Sequence, residues 1–215
     1  NQSIIYKNFN PCPDEVYINE NNIPESNCRF VNLVSENNTI KLLWNNELIS
    51  TKYMFKEIYY IIEFNLSNFN TSLVTDMSYM FISCNQTKII ELSNIDTSSV
   101  TSMESMFEKC KSLESINLIN FDTSKTISLK HMFFECRQLI SLNLSNFETS
   151  SVTTMNSIFY LCSNLKSLDI SHFNTSNVNS MAGMFFHCSS LDYINISHFN
   201  TSKVTEMNIM FSGCS

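Results

Sequence analysis

The stretch Leu66–Cys84, LSNFNTSLVTDMSYMFISC, decides the architecture, because its punctuation returns at a fixed interval along the chain. The last six cysteines are Cys84, Cys110, Cys136, Cys162, Cys188 and Cys214, each 26 residues from the next. A period of this size marks a solenoid, in which every coil buries its apolar face against its neighbours. Other columns keep the same phase. Phe55, Phe81, Phe107, Phe133, Phe159, Phe185 and Phe211 fill one without exception. All 11 methionines fall in two more: Met54, Met80, Met106, Met132, Met184 and Met210 in the first, Met77, Met103, Met155, Met181 and Met207 in the second.

The spacing within a unit predicts its local structure. Met77, Met80, Phe81 and Cys84 stand at i, i+3, i+4 and i+7, which predicts one face of a short α-helix. Thr75, Thr101, Thr153, Asn179 and Thr205, just upstream, read as N-caps, and Thr101 with Glu104 fits a capping box. Ile127 interrupts that column, with Ser128 as a cap displaced by one residue. After each cysteine comes an alternating run. In Leu113–Leu118, LESINL, Ile116 and Leu118 face one way and Ser115 and Asn117 the other, the pattern of a strand with one buried side. Leu142 with Leu144, Leu168 with Ile170, and Ile194 with Ile196 repeat it. The expected fold is therefore α/β: a solenoid with one short parallel strand and one short helix per 26-residue coil.

Residues 1–39 carry no copy of the repeat and are expected to form an N-terminal capping segment; residues 40–215 form the solenoid. The first coil is degenerate, with Ile58 in the cysteine column, and Ser215 ends the chain in mid-repeat, which reads as a longer array cut short. Cys12 and Cys28 are the candidate disulfide that would staple the cap, two unrelated buried thiols being the alternative. The 43% hydrophobic content with only 2 glycines and 3 prolines argues for a chain that folds throughout. A net charge of -7 leaves no basic stripe, so no nucleic acid is expected as a partner. Apolar runs such as Tyr59–Ile62 are far shorter than the roughly 18 residues of a membrane helix, so no direct membrane insertion is expected in this segment.

The units LSNFNTSLVTDMSYMFISC, LSNFETSSVTTMNSIFYLC and ISHFNTSKVTEMNIMFSGC resemble the BspA-type leucine-rich repeat surface proteins, in the variant found in bacterial lipoproteins and protist surface proteins. The resemblance runs from about Leu66 to Ser215 and rests on NF, TS, VT, M, MF and C at fixed offsets. It implies a leucine-rich-repeat solenoid displayed outside the cell, serving adhesion or protein interaction and carrying no catalytic site. The chain departs from the family pattern at Ile95, where a Phe is expected, and at Thr126 and Ile127, where Val-Thr is expected.

Three groups of residues are candidates for chemistry. The Cys84–Cys214 column reads best as buried, unmodified thiols filling a core slot, against bridges between coils or a soft metal. The Thr-Ser pairs from Thr71-Ser72 to Thr201-Ser202 read as turn-forming hydroxyls rather than as a flat binding array. The candidate ligand face is the outward strand column Asn65, Glu91, Asn117, Asn143, Asp169 and Asn195, with Tyr193 beside it. It would suit a hydrogen-bonded protein or glycan ligand, although any solvated strand face is polar. His172 and His198 share a column, but two imidazoles without a third ligand do not make a metal site. No metal, cofactor or catalytic constellation is expected, and the chain reads as a non-enzyme. Of the glycosylation sequons, Asn37 and Asn85 are the candidates clear of the strand columns.

The functional expectation is an extracellular or cell-surface recognition and adhesion module that binds a protein or glycan through its repeat surface. The alternative is a structural building block whose partners are neighbouring copies in a larger surface assembly. Beneath both lies the assignment of the core. Phe133→Ala should lower unfolding free energy by about 3–5 kcal/mol through the cavity it opens, whereas Asn143→Ala should cost under about 1 kcal/mol. Denaturant melts of the two variants check this, and a silent Phe133→Ala would overturn it.

Overall fold

A computed structural model describes residues 2–23, 30–31 and 39–214. The N-terminal part is antiparallel. Strand β1 (Gln2–Ser3) pairs with β4 (Phe30–Val31), and β2 (Glu15–Ile18) lies between β3 (Asn21–Ile23) and β5 (Ile40–Leu43). Val16 and Ile18 turn inward to a small cluster with Ile4, against which Ile23, Ile40 and Leu42 pack. Strand β5, placed in the degenerate first coil by its sequence position, is thus an edge of the antiparallel sheet. Ile5, Phe9 and Leu48 belong to the main core instead, and the Tyr6 amide donates to the Met54 carbonyl at 2.8 Å, joining this part to the first coil.

From Ser50 onward the chain winds in the expected 26-residue coils. Parallel strand pairs β6 (Glu63–Asn65) with β7 (Ile89–Glu91), and β8 (Ser141–Leu142) with β9 (Ser167–Leu168), keep residues one period apart in register. In LESINL the side chains alternate as expected, with Leu113, Ile116 and Leu118 buried, but the segment is not a strand. The most continuous parallel column lies elsewhere. Isolated bridges link Ser50, Asp76, Ser102, Ser128, Thr154, Ser180 and Glu206 in one unbroken line through seven coils.

The expected helix is absent: no helix occurs among the described residues. Met77, Met80, Phe81 and Cys84 are each 0% exposed, so they do share one buried face. A chain of overlapping tight turns makes that face. The amides of Met80, Ile82 and Cys84 donate to the carbonyls of Met77, Tyr79 and Phe81, three residues back. The alternate amides of Met77, Tyr79, Phe81 and Ser83 leave the coil and donate to Ser102, Glu104, Met106 and Glu108 in the next, at 2.7–3.0 Å. Half of the backbone donors therefore tie neighbouring coils together, where a helix would spend them internally.

Spacing explains the choice. Successive rings of the Phe55–Phe211 column are nearly parallel, with centroids 5.5–5.9 Å apart. An α-helix with its side chains is about 10 Å across and cannot recur at that interval, whereas a turn ladder matches the roughly 4.8 Å spacing of the strands opposite. The Thr75 column follows the same logic. The amides of Thr75, Thr101, Ile127, Thr153, Asn179 and Thr205 donate to the carbonyl 26 residues back, so these residues link coils and do not cap helices. Because the backbone makes this bond, Ile127 fits without a polar side chain, and its neighbour Thr126 donates its hydroxyl to the Val100 carbonyl at 3.3 Å.

The turns require left-handed backbone at two positions per coil: Tyr79 and Ser83, Ser105 and Lys109, His131 and Glu135, Ser157 and Leu161, Gly183 and His187. Each first member is the third residue of its four-residue turn, where a positive φ is the rule for a type II turn. Both glycines of the chain, Gly183 and Gly213, occupy these positions. A Cβ at Gly183 would lie 3.0 Å from Ser157 Oγ and 3.2 Å from Tyr160 Cδ2, so strain and crowding coincide there. Gly183→Ala is expected to lower stability by about 1–2 kcal/mol. Thermal unfolding measures it, with an unchanged midpoint as the contrary outcome.

Candidate binding surface

The candidate ligand face forms as a column. Asn65, Asn117, Asn143, Asp169 and Asn195 are exposed, Glu91 is half-buried, and Tyr193 is 74% exposed. Each acceptor closes a turn. Asn65, Asn117, Asn143, Asp169 and Asn195 take the amide of the residue two positions on through Oδ1 at 2.9–3.1 Å, and Glu91 Oε1 takes the Ser93 amide at 2.7 Å. These side chains therefore have a backbone task of their own, the turn chemistry for which Asn and Asp are suited. The Ser171 amide and hydroxyl hold the Asp169 carboxyl below its ordinary range. A ligand on this face would meet what remains, namely the side-chain NH2 groups of the asparagines, the second carboxylate oxygens and the projecting Tyr193 ring.

The threonines of the Thr-Ser pairs bond backbone groups as the sequence reading expects, but those of the next coil and not of their own turn. Thr71 Oγ1 donates to the Asp96 carbonyl at 2.8 Å and accepts the Asp96 amide at 2.9 Å; Thr97, Thr149 and Thr175 make the same reciprocal pair with Asp122, Asn174 and Asn200. All four threonines are buried and unavailable to a ligand. His172 likewise spends a ring nitrogen on a neighbouring coil, 2.9 Å from the Leu144 carbonyl oxygen.

The cysteine column is free and buried, apart from the half-buried Cys214. Each sulfur has a defined partner. Cys84, Cys110, Cys136, Cys162 and Cys188 donate to the carbonyls of Phe55, Phe81, Phe107, Phe133 and Phe159 at 3.1–3.3 Å. That carbonyl also accepts the amide of the cysteine in its own coil, for example Cys84 at Phe81. The sequence reading found the slot but not this bond between coils. Burial pushes the Cys84 and Cys188 thiols up to about 12 and those of Cys110, Cys136 and Cys162 well above the ordinary 9.0. A thiol held neutral in this way is a poor nucleophile and a poor metal ligand.

Other candidate sites are only partly visible. Cys12 is not among the free thiols, and its expected partner Cys28 lies outside the described residues, as does Asn37. Asn85 is half-buried, with its side-chain oxygen enclosed and without a partner among the described residues, and its sequon hydroxyl, Thr87 Oγ1, donates to the Ile61 carbonyl at 2.7 Å. Sequence reasoning also missed the aromatic and lysine cluster of the first coil. There Tyr53 stacks on Tyr79 at 4.8 Å and lies 6.0 Å from Tyr6, with Lys52 and Lys56 against these rings. The available signal was the shared column of Tyr53 and Tyr79, one period apart.

Family comparison bears on the repeats themselves. Residues 49–141 and 127–215 match the family described as "Mycoplasma protein of unknown function, DUF285". The chain belongs to the DUF285 family. Its coils are also similar to solved bacterial leucine-rich repeat proteins. One from Eubacterium ventriosum is 18% identical, with a TM-score of 0.46 over 77% of this chain. One from T. pallidum is 19% identical, with a TM-score of 0.38 over 69% of this chain and 72% of its own. The chain spans 46% of the Eubacterium ventriosum protein. A comparison with curated proteins finds no match.

The thiol column of this DUF285 chain makes stability depend on alkaline pH. Above about pH 9 the unfolded chain loses thiol protons that the native state retains, so the unfolded state binds fewer protons and stability falls as pH rises. Unfolding free energy should hold steady up to roughly pH 8–9 with respect to these groups and decline towards 12, with a shallower decline in Cys110→Ala/Cys136→Ala. Denaturant melts across that range test the sign. A thiol reagent should leave Cys84–Cys188 unmodified until the chain is denatured, and labelling of the native protein would contradict their burial.

Proposed function

We propose that the chain is a non-catalytic recognition and adhesion module of the cell surface, which binds a protein or glycan through its outward polar columns. The observation that carries this reading is the division of labour across each coil. Phe, Met, Cys and Leu columns fill the interior, and backbone ladders join the coils. The outward column from Asn65 to Asn195 adds only a turn contact per coil, so its identity is free to vary with a ligand at little cost in stability. Tyr193 supports the reading too, since a largely exposed aromatic ring beside a row of amides combines apolar area with hydrogen-bond donors.

The BspA-type resemblance points the same way and suggests an extracellular address. No helix among the described residues is long and apolar enough to cross a membrane. Glycan and protein arrays probed with the monomeric chain, its state verified by sedimentation, test the proposal. Saturable binding is expected, weakened at least about tenfold in Asn117→Ala/Asn143→Ala/Tyr193→Ala. Ordered polymerisation with no binding would overturn it in favour of a structural building block of a larger surface assembly.

A further inference from the structure

The repeat symmetry is broken in chemistry at the junction between the N-terminal part and the first coil. A groove of about 470 Å³ opens there, lined by Tyr6, Asn8, Phe9, Asn10, Ser50, Lys52, Tyr53 and Lys56. Its volume is in the range of small-molecule sites. The lining residues come from two parts of the chain that are far apart in sequence, and the Tyr6–Met54 backbone bond holds them together.

We propose that this groove binds an acidic sugar, a pyranose bearing a carboxylate; the inference rests on the recognition reading and adds a second site to it. Among the described residues the lining contains two lysines and no carboxylate, on a chain whose net charge is -7. This pairing belongs to the first coil alone. In the columns of Lys52 and Lys56 the later coils carry Ser78 and Ile82, Glu104 and Glu108, Lys130 and Phe134, Asn156 and Tyr160, Ala182 and Phe186, and Asn208 and Ser212. No other coil has two cations there, and one has two acids.

The lysines are held against aromatic carbon. Lys56 Nζ lies 5.1 Å from the Tyr6 ring centroid and 5.3 Å from that of Tyr53; Lys52 Nζ lies 5.7 Å from Tyr53 and 5.8 Å from Tyr79. Among the described residues each has one carboxylate partner outside the lining, Asp76 at 3.2 Å from Lys52 and Glu57 at 3.6 Å from Lys56. Pairs this exposed are weak and easily exchanged for a ligand carboxylate. Around the cations stand further parts a sugar needs: the amides of Asn8 and Asn10 for its hydroxyl groups, and the tyrosine rings for its C–H face. The Ser50 hydroxyl is already engaged, donating to the Asp76 carbonyl and accepting the Lys52 amide, each at 3.2 Å. A bare inorganic anion would use the lysines alone, and a neutral sugar would leave them idle.

Glucuronate, glucose and inorganic phosphate are the probes, titrated into the full chain at up to about 10 mM and followed by amide chemical shifts of the Ser50–Lys56 segment and by calorimetry. Glucuronate should bind saturably, at least about tenfold more tightly than glucose or phosphate, and more weakly as salt rises. Lys52→Gln/Lys56→Gln should weaken it at least about tenfold, with Tyr6→Ala as an independent second variant. Equal affinity for glucose or phosphate, no binding of glucuronate, or full binding by the double lysine variant would each overturn the proposal. The two readings separate cleanly. Loss of array binding in the strand-face variant, with glucuronate binding insensitive to the lysines, removes the groove and leaves the module. Glucuronate binding in the groove with no partner at the strand face does the reverse.

Discussion

Everything in the solenoid depends on the hydrogen bond from alternate amides of one coil to carbonyls of the next, 25 residues further on. It repeats at Tyr79 to Glu104, Ser105 to Lys130, His131 to Asn156 and Ser157 to Ala182, and again at the Phe and Ser83 columns. This ladder sets the interval between coils on the turn side, as the parallel strands do on the other. Once both sides are held at that interval, stacked phenylalanines, threonine bridges and thiol contacts follow as the ways in which like residues can meet one period apart.

The interval also explains the use of sulfur. A methionine or cysteine stacked on its own kind must pack flexibly in a narrow slot without offering an unsatisfied polar group. The thiol answers the second requirement with one weak donor, aimed at a phenylalanine carbonyl of the preceding coil. Threonine does comparable work nearer the surface, where its hydroxyl both donates and accepts across the coil boundary. Polar groups close to the core are thus absorbed into coil-to-coil bonding, and those left to meet solvent lie on the outward columns.

Much of this was legible in the residues. The period, the buried columns and the polar outward face follow from counting, because identical positions in successive coils meet identical surroundings. The helix was misread for a definite reason: the spacing of Met77, Met80, Phe81 and Cys84 places side chains on one face in a helix and also in overlapping three-residue-back turns. Only the destination of the alternate amides tells them apart, and that is a relation between coils. The non-glycine residues with positive φ, such as Tyr79 and His131, give no warning in sequence. The groove at the first coil escaped notice because Tyr6 and Asn8 reach Lys52 and Lys56 only through the fold.

The sequence by itself determined that this chain is a solenoid of 26-residue coils, which columns form its core, and that Asn65 to Asn195 point outward, since periodicity is a one-dimensional property that survives without coordinates. Tertiary structure alone decided that the coils are closed by turns rather than helices, that thiols and threonines bond from coil to coil, and that two distant segments enclose a cationic, aromatic groove. Those outcomes depend on the distance between neighbouring coils and on where each backbone donor finds its acceptor, and neither is written in any single repeat.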